Sequence, residues 1–247
     1  MPNPTRRQML AGLGTSMVAL PSHAEQPRAA HPWRILVIGG HPGDPEAGCG
    51  GTMALYARAG HDVTALYLNR GQAGVSGKTA REAAEIRSAE AAAACRILGA
   101  KPLFAGQIDA ESEVNPHRSQ EFSKLVAGIN PDVIFTQWPI DHHPDHRACA
   151  ILSEAAWIAL GRKCSLYFYE VDLGKDTQCF HPSHFVDVST VEPLKRDACM
   201  AHRSQNPAGF YNEDHVPMMR FRGMESGCKY AEAFVHHEQS APGRLPV

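Results

Sequence analysis

The sequence contains no CxxC pair and no tight cysteine spacing: Cys49, Cys95, Cys149, Cys164, Cys179, Cys199 and Cys228 are scattered and odd in number. That excludes a zinc knuckle and a disulfide framework and leaves most of them as small buried side chains. A bridge such as Cys164 to Cys179 stays open in an oxidising compartment. Beyond the N-terminus no segment approaches the roughly 18 consecutive apolar residues of a spanning helix, so no transmembrane span is expected. Neither sign of charge dominates, since 24 basic against 26 acidic side chains give a net charge of −2. An electrostatic nucleic-acid binder is thereby excluded. There is no repeat, low-complexity block or linker, and 247 residues at 43% hydrophobic and 20% charged suffice for one core without a structural metal. A metal bound to such a chain has a functional use.

The first 24 residues read differently from the rest. Thr5-Arg6-Arg7-Gln8-Met9-Leu10 leads into an apolar stretch to about Leu20 and then Ser22-His23-Ala24. Paired arginines, a modest apolar run and a small-residue end predict a signal peptide over 1–24 of the twin-arginine type, cleaved near Ala24. The expected product is an exported, periplasmic or secreted protein made of a single domain, 25–247.

Arg34-Ile35-Leu36-Val37-Ile38-Gly39-Gly40 is a β-branched apolar run ending in glycine, the mark of a buried parallel strand. A helix from about Gly51 to Ala59, a strand at 62–68 and a long helix from Thr79 to Leu98 follow, the last opened by Thr79-x-x-Glu82 and closed by Gly99. Strands are expected at 102–105, 132–136, 165–171 and 185–188, and helices near 119–127, 145–160 and 191–202. This alternation predicts an α/β fold: a Rossmann-like, doubly wound, mostly parallel sheet with helices on both faces. In such sheets the site lies beyond the carboxyl ends of the strands, near the point where strand order reverses.

Two loops at such ends carry the chemistry. His41-Pro42-Gly43-Asp44 follows the first strand, and its prolines fix φ on either side of the acid, so that histidine and aspartate can converge on one cation. Gly50-Gly51 is read as a close turn into the next helix. Imidazoles and carboxylates crowd the second loop, Asp141-His142-His143-Pro144-Asp145-His146-Arg147. Two neutral imidazoles and one carboxylate leave a fourth position open, the arrangement of a catalytic rather than a structural zinc. Such ligands also accept iron(II), manganese or cobalt. The Gly48-x-Gly50-Gly51 run lacks the GxGxxG spacing of a dinucleotide site.

Together with these loops, Asn69-Arg70-Gly71-Gln72-Ala73-Gly74, Arg87-x-x-Glu90, His143-Pro144-Asp145-His146, and Lys195 with His202-x-Ser204-Gln205 resemble the PIG-L (LmbE-like) de-N-acetylases in register from about Ile35 to Phe234. The resemblance implies a zinc-dependent hydrolase that removes the N-acetyl group from an N-acetylglucosamine-containing sugar or glycoconjugate. It implies His41, Asp44 and His146 as metal ligands and Arg70 as a sugar contact. His143 would face the carbonyl oxygen, and Asp145 would hold His143 or a ligand imidazole. Arg87 and Glu90 are expected to form an i,i+3 pair within their helix. Tyr211 and Asn212, in what is expected to be a loop from Asn206 to Pro217, are candidate rim residues for a small-molecule or oligosaccharide substrate.

One position departs from the pattern. Where the family typically reads HPDD, the first aspartate being its general base, this chain has Gly43. Three readings follow: Glu46 or Asp141 substitutes as the base, the protein is a slow hydrolase, or it is a non-catalytic, metal-containing carbohydrate-binding protein.

Overall fold

Alternation within Ile35-Leu36-Val37-Ile38 sets the architecture. Ile35 and Val37 join one buried cluster and Leu36 and Ile38 another, because successive strand side chains leave on opposite faces. A strand apolar on both faces needs a helical layer on each. The computed structural model describes residues 31–172, 175–241, 243 and 245–246; the expected signal, 1–24, lies outside them.

The elements are β1 (Arg34–Gly39), α1 (Asp44–Arg58), β2 (Asp62–Tyr67), α2 (Ala80–Leu98), β3 (Ala100–Phe104), α3 (Pro116–Ile129), β4 (Val133–Gln137), α4 (Pro144–Ala159), β5 (Ser165–Tyr169), β6 (His184–Asp187), α5 (Glu192–Met200), α6 (Pro207–Phe210), α7 (Val216–Ser226) and β7 (Ala231–His236). The sheet runs β3-β2-β1-β4-β5-β7-β6. β1 to β5 are parallel, and β7 is antiparallel to both β5 and β6. Met53, Ala94 and Ala198 bring α1, α2 and α5 onto one face, and Phe122, Leu152 and Trp157 bring α3 and α4 onto the other. This is the expected doubly wound, mostly parallel sheet. β1 pairs with β2 on one side and β4 on the other, so the strand order reverses between β1 and β4, and the two polar loops leave from those neighbouring ends.

The structure adds β7, which the sequence did not announce, and differs from expectation elsewhere too. α1 begins at Asp44 rather than near Gly51, because Glu46 reaches back to the Gly43 amide at 3.1 Å and Pro45 sits in the first turn. Gly50 and Gly51 are therefore inside a helix. At Gly51 an added Cβ would stand 2.5 Å from Val188 Cγ1, so the glycine permits close packing and not a turn. Residues 206–217 are not a loop: they form α6, a π turn over Tyr211–His215 and the start of α7. Pro207 and Pro217 occupy first-turn positions that tolerate proline. The cysteines are all free, with Cys164 buried and Cys179 exposed, so the Cys164 to Cys179 bridge is not formed.

Candidate metal centre and its cleft

Asp44 is the first residue of α1, and its Oδ2 lies 3.2 Å from His41 Nδ1 and 3.3 Å from His146 Nε2. The same oxygen accepts the His41 backbone N–H at 2.8 Å and the Gln137 side-chain amide at 3.1 Å. Gln137 ends β4, so both strands at the reversal point fix this carboxylate. His146, in the first turns of α4, arrives from the other loop.

The far nitrogen of each imidazole is also held by a carboxylate. His41 Nε2 lies 3.0 Å from Asp145 Oδ2 and 3.2 Å from Asp109 Oδ1, and His146 Nδ1 lies 3.1 Å from Asp141 Oδ1. Asp145 in turn accepts the Asn69 amide at 3.0 Å and the Ala110 N–H at 2.8 Å. A carboxylate behind each ring fixes its tautomer and orientation and makes the inward nitrogen more basic, the usual support of a metal-ligating histidine.

The electrostatics agree. Burial alone would lower the histidines, yet Asp44 and the supporting carboxylates outweigh it, holding His41 well above the ordinary imidazole range and His146 up to about 9. Burial would raise Asp44, but His146 and His41 keep it well below the usual carboxylate range. Without metal this buried cluster retains protons as its cations. A divalent ion can replace them, and one carboxylate with two imidazoles is a donor set that suits it.

His143 lies in the same cluster, with a ring nitrogen within 4.8 Å of those of His41 and His146. As the N-cap of α4, its Nδ1 accepts the Asp145 backbone N–H at 3.2 Å. A neutral imidazole that accepts at Nδ1 carries its proton on Nε2. Burial, and then the neighbouring His41 and His146, hold its pKa below the ordinary value. His143 is thus set up as a neutral donor beside the ligand atoms.

These residues floor a cleft of about 430 Å³, whose walls include Arg87, Asp109, Asp172, Asp176, His202 and Phe210. Of the residues expected from the sequence, His41, Asp44, His143 and His146 come together there. Asp145 stands behind His41 and not behind His143. Asp141 is spent on His146, on the His143 amide at 2.8 Å and on Thr177 Oγ1 at 3.1 Å. Glu46 is fully buried and turned beneath the loop, accepting from Tyr67 Oη at 2.6 Å and from the Gly43 amide. Neither carboxylate is among the residues that line the cleft.

Two expected substrate contacts also point elsewhere. Arg70 is exposed, with its guanidinium 5.2 Å from the centre of the Phe104 ring. Tyr211 is 2% exposed and donates to Glu192 at 2.6 Å, while its neighbour Phe210 takes the cleft wall. Arg87, read from sequence as a helix pair with Glu90, instead lines the cleft and donates to Pro42 O at 2.5 Å, with Nε lacking a partner. Glu90 bonds the Ser204 N–H and hydroxyl at 2.8 and 2.7 Å. The signal for Arg87 lay in Gly71 and Gly74, where an added Cβ would stand 2.5 Å from the Arg87 side chain. Asp109 had only its place after β3 to announce it.

The family model for GlcNAc-PI de-N-acetylase (PIG-L) matches residues 36–157. Diacetylchitobiose deacetylase of Thermococcus kodakarensis is 30% identical over 220 residues, covering 81% of each chain. Among solved structures, a conserved protein of Thermus thermophilus superposes with a TM-score of 0.71 at 32% identity, over 87% of this chain and 96% of that one. N,N'-diacetylchitobiose deacetylase of Pyrococcus horikoshii shares the fold with a TM-score of 0.73 at 24% identity, over 83% of each. With its paired loops at the strand reversal and its likeness along four fifths of the chain, this protein belongs to the PIG-L family of de-N-acetylases, which are amide hydrolases.

Proposed function

We propose that the protein is a zinc-dependent hydrolase that removes the N-acetyl group from an N-acetylglucosamine-containing sugar or oligosaccharide, with His41, Asp44 and His146 holding the metal. The observation that carries this reading is the pairing of the far nitrogen of each imidazole with an outer carboxylate, His41 on Asp145 and His146 on Asp141, while the inward nitrogens face Asp44. Iron(II), manganese and cobalt suit the same donors. When bound, the cation supplies Lewis acidity to the acetyl carbonyl and to water.

The chain's own residues do the rest. The Nε2–H of His143 donates to the carbonyl oxygen as it gains charge, stabilising the tetrahedral species. Arg87 and Asp109, which line the cleft together with the ligands, bind sugar hydroxyls and orient the acetamide. A binding-only role is not favoured, because the relative that matches along 81% of the chain is named as a deacetylase. Export before action is proposed on the sequence of residues 1–24 alone, and replacing Arg6 and Arg7 by Lys would hold the protein in the cytoplasm on fractionation.

The test is acetate release from N-acetylglucosamine, N,N'-diacetylchitobiose and an inositol-linked N-acetylglucosamine, with and without chelator. Acetate and free amine in equal amounts, lost on chelation and restored by zinc, support the reading. A folded, zinc-loaded protein silent on every such substrate refutes it.

A further inference from the structure

Position 43 has no side chain, and its backbone favours that: φ is +113°, a conformation other residues rarely adopt. Glu46 and Asp141 are both committed elsewhere, yet a different pair of carboxylates lines the same cleft. Asp172 and Asp176, on the segment after β5, lie close enough for their like charges to interact and line the cleft together with His143 and His146. Asp176 is anchored to the frame of the metal loop. Its carbonyl accepts the His142 N–H at 2.9 Å, and the next residue, Thr177, bridges to Asp141 and donates to its Oδ2 at 3.1 Å. Asp141 is the residue that holds His146, so one hydrogen-bonded frame positions both the His146 ring and Asp176.

We propose that Asp176 is the proton acceptor for the attacking water, filling the role that Gly43 leaves without a side chain. The proposal rests on the deacetylase reading. As the water oxygen bonds to the acetyl carbon, the carbonyl π pair moves onto oxygen and one water proton passes to the Asp176 carboxylate. The C–N bond then breaks with its electron pair on nitrogen, and the proton held by Asp176 goes to that nitrogen. The products are the amine and acetic acid, which loses its proton to solvent as acetate, and no oxidant or reductant is needed.

The surroundings suit the task. Burial and then the like charge of Asp172 hold the Asp176 carboxyl up to about 6, with His146 opposing and Asp141 adding to the rise. A base in that range is ionised at neutral pH yet keeps useful basicity. From the π turn, His215 Nε2 lies 3.6 Å from Asp172 Oδ1, while its buried Nδ1 has no partner. The neighbouring Lys175 is turned away onto Asp214 at 2.5 Å.

The experiment uses the zinc-loaded full chain and the variants Asp176→Asn, Asp176→Ala and Asp172→Asn. For Asp176→Asn, kcat should fall about 10²- to 10⁴-fold with KM within a few-fold and zinc content unchanged. The acid limb of kcat/KM should vanish with it and move to lower pH in Asp172→Asn. Formate should restore part of the rate of Asp176→Ala and leave the parent unaffected, which a structural role would not produce. In the metal-free protein, an infrared carboxylic-acid band should titrate near pH 6 and be missing from Asp176→Asn. An active parent whose Asp176→Asn variant keeps kcat, or loses only KM, overturns the proposal, as does a missing band. A parent inactive on every N-acetylated amino sugar overturns the deacetylase reading first and this role with it.

Discussion

His146 Nδ1 lies 3.1 Å from Asp141 Oδ1 while the opposite edge of the ring faces Asp44. The Asp141 carboxylate is therefore engaged by the far side of the His146 ring and is placed to support that imidazole. Asp141→Asn should weaken zinc binding by about 10- to 100-fold, the usual effect of removing a carboxylate behind a ligating histidine. Competition against a chromophoric chelator measures it. Unchanged zinc affinity with a collapsed kcat would return Asp141 to the role of base.

Metal uptake should be strongly pH-dependent. In the metal-free protein His146 keeps its proton up to about pH 9, and zinc binds only the deprotonated ring. Affinity should therefore rise as pH increases toward 9, by about tenfold per unit for each proton displaced, and fall toward acid. Titration with zinc in weak buffer at pH 7 should release protons; binding without proton release would contradict the assignment.

Glu46 is placed to support the fold. Its carboxylate accepts from Tyr67 and from the Gly43 amide that opens α1, so Glu46→Ala should cost about 1.5–3 kcal/mol of stability, the range for hydrogen bonds to a charged group. Urea unfolding measures this. For the milder Glu46→Gln, whose single oxygen can keep the Gly43 bond while its NH2 donates to Tyr67 Oη, kcat should stay within a few-fold of the parent. A loss of about 10²-fold or more would mark Glu46 as the base.

The two arginines should separate cleanly. Arg87→Met removes the guanidinium from the cleft wall and should raise KM by about 10-fold or more, as expected for a charge-assisted hydrogen bond to substrate. Arg70→Met loses only an exposed stacking contact on Phe104 and should leave KM within about twofold. Steady-state kinetics on one substrate decides, and the reverse order would restore Arg70 as the sugar contact.

The strands and the ligand loops were legible in the sequence because their signals are local. Ile35 to Ile38 is apolar without a break, and His41 and Asp44 lie three residues apart. What was not legible depends on three-dimensional placement. Asp109 and Asp176 are single acids in separate segments, brought to one cleft only by the order of the strands. Tyr211 and Phe210 are adjacent aromatics, and the π turn decides which one faces in. β7 escaped notice because Ala231-Glu232-Ala233 dilutes its apolar pattern. Glu232 is buried to accept the Gly51 and Thr52 amides and the Lys195 ammonium. Arg87 looked like an ordinary helix residue until Gly71 and Gly74 showed the space left for its side chain.

Metal content of the purified parent and of four alanine variants shows which side chains hold the zinc. The parent and His143→Ala should hold about one equivalent of zinc, and His41→Ala, Asp44→Ala and His146→Ala should lose it, all folded by circular dichroism. Zinc retained by Asp44→Ala and lost from His143→Ala would contradict this assignment, making His143 the third ligand and removing the donor that the proposed chemistry requires.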